Sequence, residues 1–329
     1  AGAINSTKVG NISAVSTGGT ASVAAAAIVG ANATTMGDVT ITAKTDAITG
    51  TIGNTTLATL GTVSMTSTDG KVAFTAINAK DTGGITVNAS AKTTIDNGSG
   101  AAATVINDGG NITASLAGAA AAKVNYTVAT KGVVNLTATN TGGLTSTVTN
   151  AGVIADALTS TITLGNAVSG KSNDVTIKDT VATLNVTGGT GVDNIILTGA
   201  QVKSGTIALG TTLAKADLDS VNFTGIKGAV SGNAADGVVI NLGSTLYKID
   251  AGTANETSVA AGHAVEFNSG AAAKKLVTDG FDLTLSGVEK VTGTANADII
   301  IANAEGSTII GGNGADKIIS GAGADTIIL

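Results

Sequence analysis

The chain has no cysteine, no proline, no tryptophan and no arginine; all 17 of its basic residues are lysine. Without cysteine there is no disulfide framework and no thiolate metal site. The single histidine, His263, has Glu266 three residues on but no second His or Cys to complete a metal or acid–base site. It reads as a surface residue. The only aromatics are Phe74, Phe223, Phe267, Phe281, Tyr126 and Tyr247, too few for a sandwich packed around aromatic anchors. Positive charge is scarce as well: the net charge is −6 and the pI near 4.7, which argues against nucleic-acid binding, since that needs clustered Lys and Arg. The longest apolar run, Val23 to Val29, is far shorter than the roughly 20 residues a membrane helix requires, so no membrane insertion is expected.

What remains is Ala, Thr, Gly, Val, Asn and Ser. Hydrophobic residues make up 43% of the chain and charged ones only 12%, which is not the signature of disorder. Small, β-branched and turn-forming residues suit short stacked strands around a thin core. Strand-sized alternation recurs at Val39–Ile41, Val63–Met65, Val72–Phe74, Ile85–Val87, Val134–Leu136 and Leu184–Val186. Turn residues precede these and similar runs, among them Gly37, Gly61, Asp69-Gly70, Gly83-Gly84, Gly109-Gly110 and Gly132. The expected fold is all-β: a parallel β-helix or β-solenoid of irregular rungs, ending in a calcium-binding β-roll. Helical periodicity is weak and confined to Leu116–Lys123 and Ser258–Val265. Three stretches are distinguished: 1–150, a Gly/Thr/Ala-rich solenoid; 151–280, a more varied β-rich continuation; and 281–329, the roll.

No catalytic constellation is visible. The chain has no G-x-S-x-G elbow, no H-E-x-x-H helix and no phosphate-binding loop. Tyr247, Lys248 and Asp250 form only a loose trio that suits a rung edge. Asp174 and Asp179 lie near Lys171 and Lys178. Asp217 and Asp219 flank Leu218 in what reads as a solvated loop that could hold a surface calcium. No enzymatic role is expected.

The chemistry concentrates in the tail. Gly311-Gly312-Asn313-Gly314-Ala315-Asp316-Lys317-Ile318-Ile319 fits the nonapeptide G-G-x-G-x-D-x-U-x, where U is aliphatic. The next unit, with Gly321, Gly323 and Asp325, repeats it. Asp298, Ser307, Asp316 and Asp325 keep a nine-residue step, as do Ile300, Ile309, Ile318 and Ile327. Gly293-Thr294-Ala295-Asn296-Ala297-Asp298 is therefore a looser first turn, and Ala302–Ser307 a degenerate second one with Ser in place of Asp. A further full match stands at Gly188-Gly189-Thr190-Gly191-Val192-Asp193-Asn194-Ile195-Ile196, and a weaker echo at Ser231–Val238. With Gly at 46 of 329 residues, composition alone predicts roughly 0.01 full matches. The physical logic is direct. Glycines let carbonyls turn toward one point, Asp adds a hard carboxylate oxygen, and Ca²⁺ prefers that donor set. The same residues also suit metal-free turns of a solenoid.

These nonapeptides resemble the RTX (repeats-in-toxin) family of type I secreted proteins. The segment Leu283-Thr284-Leu285-Ser286-Gly287-Val288-Glu289-Lys290-Val291 running into Gly293–Asp298 resembles bacterial S-layer proteins of that group. The resemblance implies a roll in which two nonapeptides make one coil, with calcium between turns 18 residues apart. Asp298 and Asp316 would then be stacked partners. Asp325 would stack over Ser307, which lacks a carboxylate, and Asp193 has no in-phase repeat, so its site would draw ligands from elsewhere. It further implies an extracellular, cell-surface protein that assembles with copies of itself, with cell-surface polysaccharide as a second candidate partner; the alternative is an RTX adhesin or biofilm matrix protein that binds a surface glycan. A third possibility is the secretion module of an enzyme. The chain begins at Ala1, as a fragment or processed product would. Asp325-Thr326-Ile327-Ile328-Leu329 is similar to the ending of some type I substrates and equally reads as one more repeat.

Overall fold

The computed structural model describes residues 6–16, 23–25, 33–43, 48–53, 57–67, 72–78, 81–89, 94–96, 105–107, 112–116, 122–130, 134–138, 143–150, 158–210, 218–233, 235–249, 257–268 and 275–329. Among these, every regular element is a β-strand, and the chain divides into two compact units. The first comprises 1–153 and 160–171, the second 154–159 and 172–329.

In the first unit the chain visits two parallel ladders in alternation. One ladder runs Ile12–Ser16, Val39–Ala43, Thr59–Ser67, Asp81–Ala89, Ile112–Leu116, Val134–Ala138 and then residues 161–164. The other runs Val23–Ala25, Ile48–Gly53, Val72–Asn78, then Thr94–Asp96 and Val105–Asn107 side by side, then Ala122–Thr130 and Leu144–Asn150. Alternation along each strand puts one set of side chains inside: Val39, Ile41, Ala43, Val63 and Met65 are buried, while Thr40 between them is exposed. All six strands expected from the sequence fall within these and the equivalent elements below. The turns expected at 69–70, 109–110 and 132 lie outside the described residues.

Within the second unit the chain again alternates between two ladders. The 16-residue strand Ser172–Thr187 serves both of them: its first part pairs with Val192–Ile196 and its second with Gln201–Ala208. From Val192–Ile196 one ladder runs through Ser220–Asn222, Lys290–Thr292, Thr308–Ile310 and Thr326–Ile328. The other passes from Gln201–Ala208 to Asp282–Ser286. There the parallel order is broken, because His263–Asn268 enters antiparallel between Asp282–Ser286 and Val238–Asn241. Beyond it, Val238–Asn241, Ile299–Ile301 and Lys317–Ile319 are parallel again. The sheets are therefore mixed. A separate antiparallel hairpin, Tyr247–Ile249 with Thr257–Val259, stands apart from both ladders.

The helical window Ser258–Val265 is not helical. Of the window Leu116–Lys123, Leu116 closes one strand and Ala122 opens the next, and 117–121 lie outside the described residues. Within 258–265, Gly262 adopts φ of 71° and His263 starts a strand. That glycine conformation ends any helical run, and strand pairing on both edges of His263–Asn268 overrides weak local periodicity.

Candidate metal centre

The tail builds the site from its turns. Asp298 and Asp316 occupy the same position in successive layers of one ladder, and Ser307 and Asp325 do so in the other. Asp298 and Asp325 each reach back four residues with one oxygen, and all three acids reach across to the next layer. Asp298 Oδ2 accepts the Thr294 N–H at 2.6 Å, while Oδ1 accepts the Thr294 hydroxyl at 2.9 Å and the Val238 N–H at 2.8 Å. Asp316 Oδ1 in turn accepts the Asp298 N–H at 3.0 Å, across 18 residues. On the other side, Asp325 accepts the N–H groups of Gly321 at 2.9 Å and Ser307 at 2.8 Å. Ser307 Oγ takes over the four-back role, accepting the Asn303 N–H at 3.0 Å, but adds no charge.

The glycines are set by contact between layers. Gly312 sits at φ of 104°, and a Cβ there would land on the Thr294 carbonyl oxygen. Gly314, at φ of 121°, would drive a Cβ to 2.6 Å from the Asn296 carbonyl carbon. The turn Gly311–Asp316 therefore lies flush on the turn Gly293–Asp298, and the backbone of Thr294 and Asn296 faces it. Asn313 is exposed at the tip, whereas the Asn296 side chain is turned back to donate to the Ala235 carbonyl at 2.9 Å.

Asp298 is 1% exposed. Burial pushes its carboxyl up to about 6 against an ordinary value of 3.8; the N–H groups of Val238 and Thr294 oppose this and the Asp316 charge adds to it. A buried carboxylate beside a second one, with no lysine paired to it, is a place where a cation relieves an electrostatic cost.

The donor set fits calcium. Two carboxylates and a carbonyl-lined turn are hard oxygen ligands. Among the described residues no three His, Cys, Asp or Glu side chains converge as a metal cluster. Backbone carbonyls must therefore supply much of the shell, which is what the flush glycine turns permit. The residues that would hold the ion are Asp298 and Asp316 with the turns 293–298 and 311–316.

The mid-chain motif is in a different setting. Gly188, Gly189, Thr190 and Gly191 lead into Asp193, which is fully buried. Asp193 accepts from the Gly189 N–H at 2.8 Å and the Asn173 amide at 2.7 Å. Burial raises its carboxyl to about 6, with those two bonds pulling the other way. Its stacked partner is Asp219, which accepts the Asp193 N–H at 2.7 Å across 26 residues. Glu289 continues the column by accepting the Asp219 N–H at 3.0 Å across 70 residues. Register then carries the column on to Ser307 and Asp325. Asp219 is thus not in a solvated loop: it is 3% exposed and part of this column, because the strand it precedes aligns with Val192–Ile196. Asp217 lies outside the described residues. The sequence signal that could have located Glu289 is its place just before Lys290–Thr292, equivalent to Asp193 before Asn194–Ile196.

The remaining candidates separate. His263 Nδ1 and Asp282 Oδ1 are 2.7 Å apart at the surface. Glu266 faces inward, its Oε2 accepting from the Ala229 and Phe281 N–H groups. Asp174 bonds Ser172 and Asn194 on the strand face. Asp179 is buried. The Ser231–Val238 echo stacks on the first tail turn through the Asn296–Ala235 bond, with Ala234 outside the described residues.

Compared with known proteins, residues 292–327 match the family model of the RTX calcium-binding nonapeptide repeat, in 4 copies. No curated protein and no solved structure matches the chain. The tail therefore carries RTX calcium-binding repeats, and proteins with such repeats are typically secreted and extracellular. Among the described residues no helix is long and apolar enough to cross a membrane.

Proposed function

We propose that this chain is a structural cell-surface protein, a β-solenoid whose calcium-dependent folding leads to self-assembly into an S-layer lattice. The observation that carries this reading is the stacked pair Asp298 and Asp316, joined at 3.0 Å across 18 residues inside a segment that matches RTX repeats. The alternately visited ladders of each unit suit solenoid coils, with layers 27 and 24 residues apart near Asp38 in the first unit and 18 apart in the tail of the second. Stacked short strands, poor in aromatics and with no catalytic cluster among the described residues, suit a scaffold rather than an enzyme.

Without calcium, the buried and neighbouring carboxylates oppose the closing of the turns. At the millimolar calcium found outside cells, weak sites fill and folding is drawn forward by mass action. Secretion by a type I system and display at a bacterial surface follow from the same reading. The test is electron microscopy of the purified protein with calcium and with chelator. A two-dimensional lattice that appears only with calcium supports the proposal. Calcium-dependent folding without a lattice, together with retention on a polysaccharide resin, would replace it with a glycan-binding adhesin.

A further inference from the structure

The hairpin Tyr247–Ile249/Thr257–Val259 belongs to neither ladder, yet two of its side chains, Ile249 and Val259, are buried. Ile249 and Val259 are 2% and 1% exposed and form one cluster with Val239, Val265, Phe267 and Ile299, against which Tyr247, Leu276 and Ile301 pack. Strand alternation explains which ladder residues they meet. Register aligns Val265, Val239, Ile299 and Lys317 in one column. Ile300, the neighbour that points the other way, is also fully buried, so this strand is covered on both faces.

The column has a chemical peculiarity. Ile299 directly follows Asp298, and Lys317 directly follows Asp316. Ile299 packs in the hairpin cluster, and the Lys317 ammonium stands 5.7 Å from the centre of the Tyr247 ring. Asp298 also holds the Val238 N–H, and so the strand whose last residue anchors the hairpin. That residue, Asn241, donates from its amide to the carbonyls of Thr245, Val259 and Ala260 at 2.9, 3.1 and 3.1 Å. The hairpin thus rests on strands fixed by the Asp298 and Asp316 turns.

We propose that this hairpin is a calcium-dependent strap, which docks on the ladder when a cation orders the turns at Asp298 and Asp316 and is released when they loosen. The proposal rests on the reading of Asp298 and Asp316 as calcium ligands. Its physical basis is that a hairpin of two three-residue strands, held by Ile249 and Val259, has no stability of its own and depends on the platform beneath it.

Hydrogen exchange on the full chain, in calcium and in chelator, tests it alongside calorimetric measurement of calcium binding. Peptides covering 247–249 and 257–259 are expected to exchange roughly tenfold or more slowly with calcium. Ile299→Ser should keep calcium binding but lose that protection, and the milder Lys317→Ala should lose part of it. Calcium bound with hairpin exchange unchanged would overturn the strap while leaving the metal site standing. No calcium bound would overturn the metal reading and the strap with it.

Discussion

The raised carboxyls of Asp298 and Asp193 predict an inverted pH dependence that calcium should reverse. Each is pushed from 3.8 to about 6 by burial. A carboxyl whose folded pKa lies above its unfolded value binds its proton more tightly when folded. Its stabilising contribution is therefore complete below the unfolded value and is lost as pH rises through the folded one. The window is from about pH 4 to about pH 6. At about 1.4 kcal/mol per pKa unit, each group removes on the order of 3 kcal/mol across that window. Proteins whose carboxylates are paired do the opposite and gain stability there. Saturating calcium binds the ionised form at Asp298, lowers its folded pKa, and turns the slope positive for that group. Urea unfolding followed by circular dichroism, at pH values from about 4 to about 7, measures this with chelator and with millimolar calcium. Asp298→Asn removes the charge but leaves either the Thr294 or the Val238 N–H facing an amide nitrogen that cannot accept it. It should flatten the pH dependence of the chelated protein across that window and abolish the calcium response of the tail. Stability that rises with pH in chelator, or a slope that calcium leaves unchanged, would refute the reasoning.

Three further outcomes follow from the site. Gly312→Ala places a Cβ against the Thr294 carbonyl at φ of 104°; it should cost about 2 kcal/mol or more and shift the calcium midpoint for folding upward, read by circular dichroism. Asp219→Ala leaves the buried Asp193 N–H without its acceptor, a loss of about 1–3 kcal/mol seen as a lower Tm, with the calcium midpoint of the tail unchanged. Ser307→Asp restores the carboxylate that the second ladder lacks, in register with Asp325. It should add calcium capacity by calorimetry and destabilise the chelated protein; equal stoichiometry in the two proteins would count against a site on that side.

Much of the candidate site was legible in the sequence because the tail repeats at constant length. Where each layer consumes 18 residues, spacing along the chain and stacking in space are the same information, and Asp298 over Asp316 can be read from letters. The mid-chain column was not legible for the converse reason. Its steps are 20, 26 and 70 residues, so Asn173, Asp193, Asp219 and Glu289 share no period. The weak helical window Ser258–Val265 failed because local periodicity carries less free energy than strand pairing on both edges of His263–Asn268.

The sequence by itself determined the all-β class, through its small β-branched residues and glycine turns, and the oxygen-ligand chemistry of the tail, through the nonapeptide. It also excluded thiolate and paired-histidine sites, since those residues are absent. The tertiary structure alone decided which acids are buried, that Asp219 and Glu289 join Asp193, and that a hairpin packs through Ile249, Val259 and Tyr247 against the strands that follow Asp298 and Asp316. Burial and lateral register depend on which layers meet, and insertions of unequal length between layers erase that from any spacing along the chain.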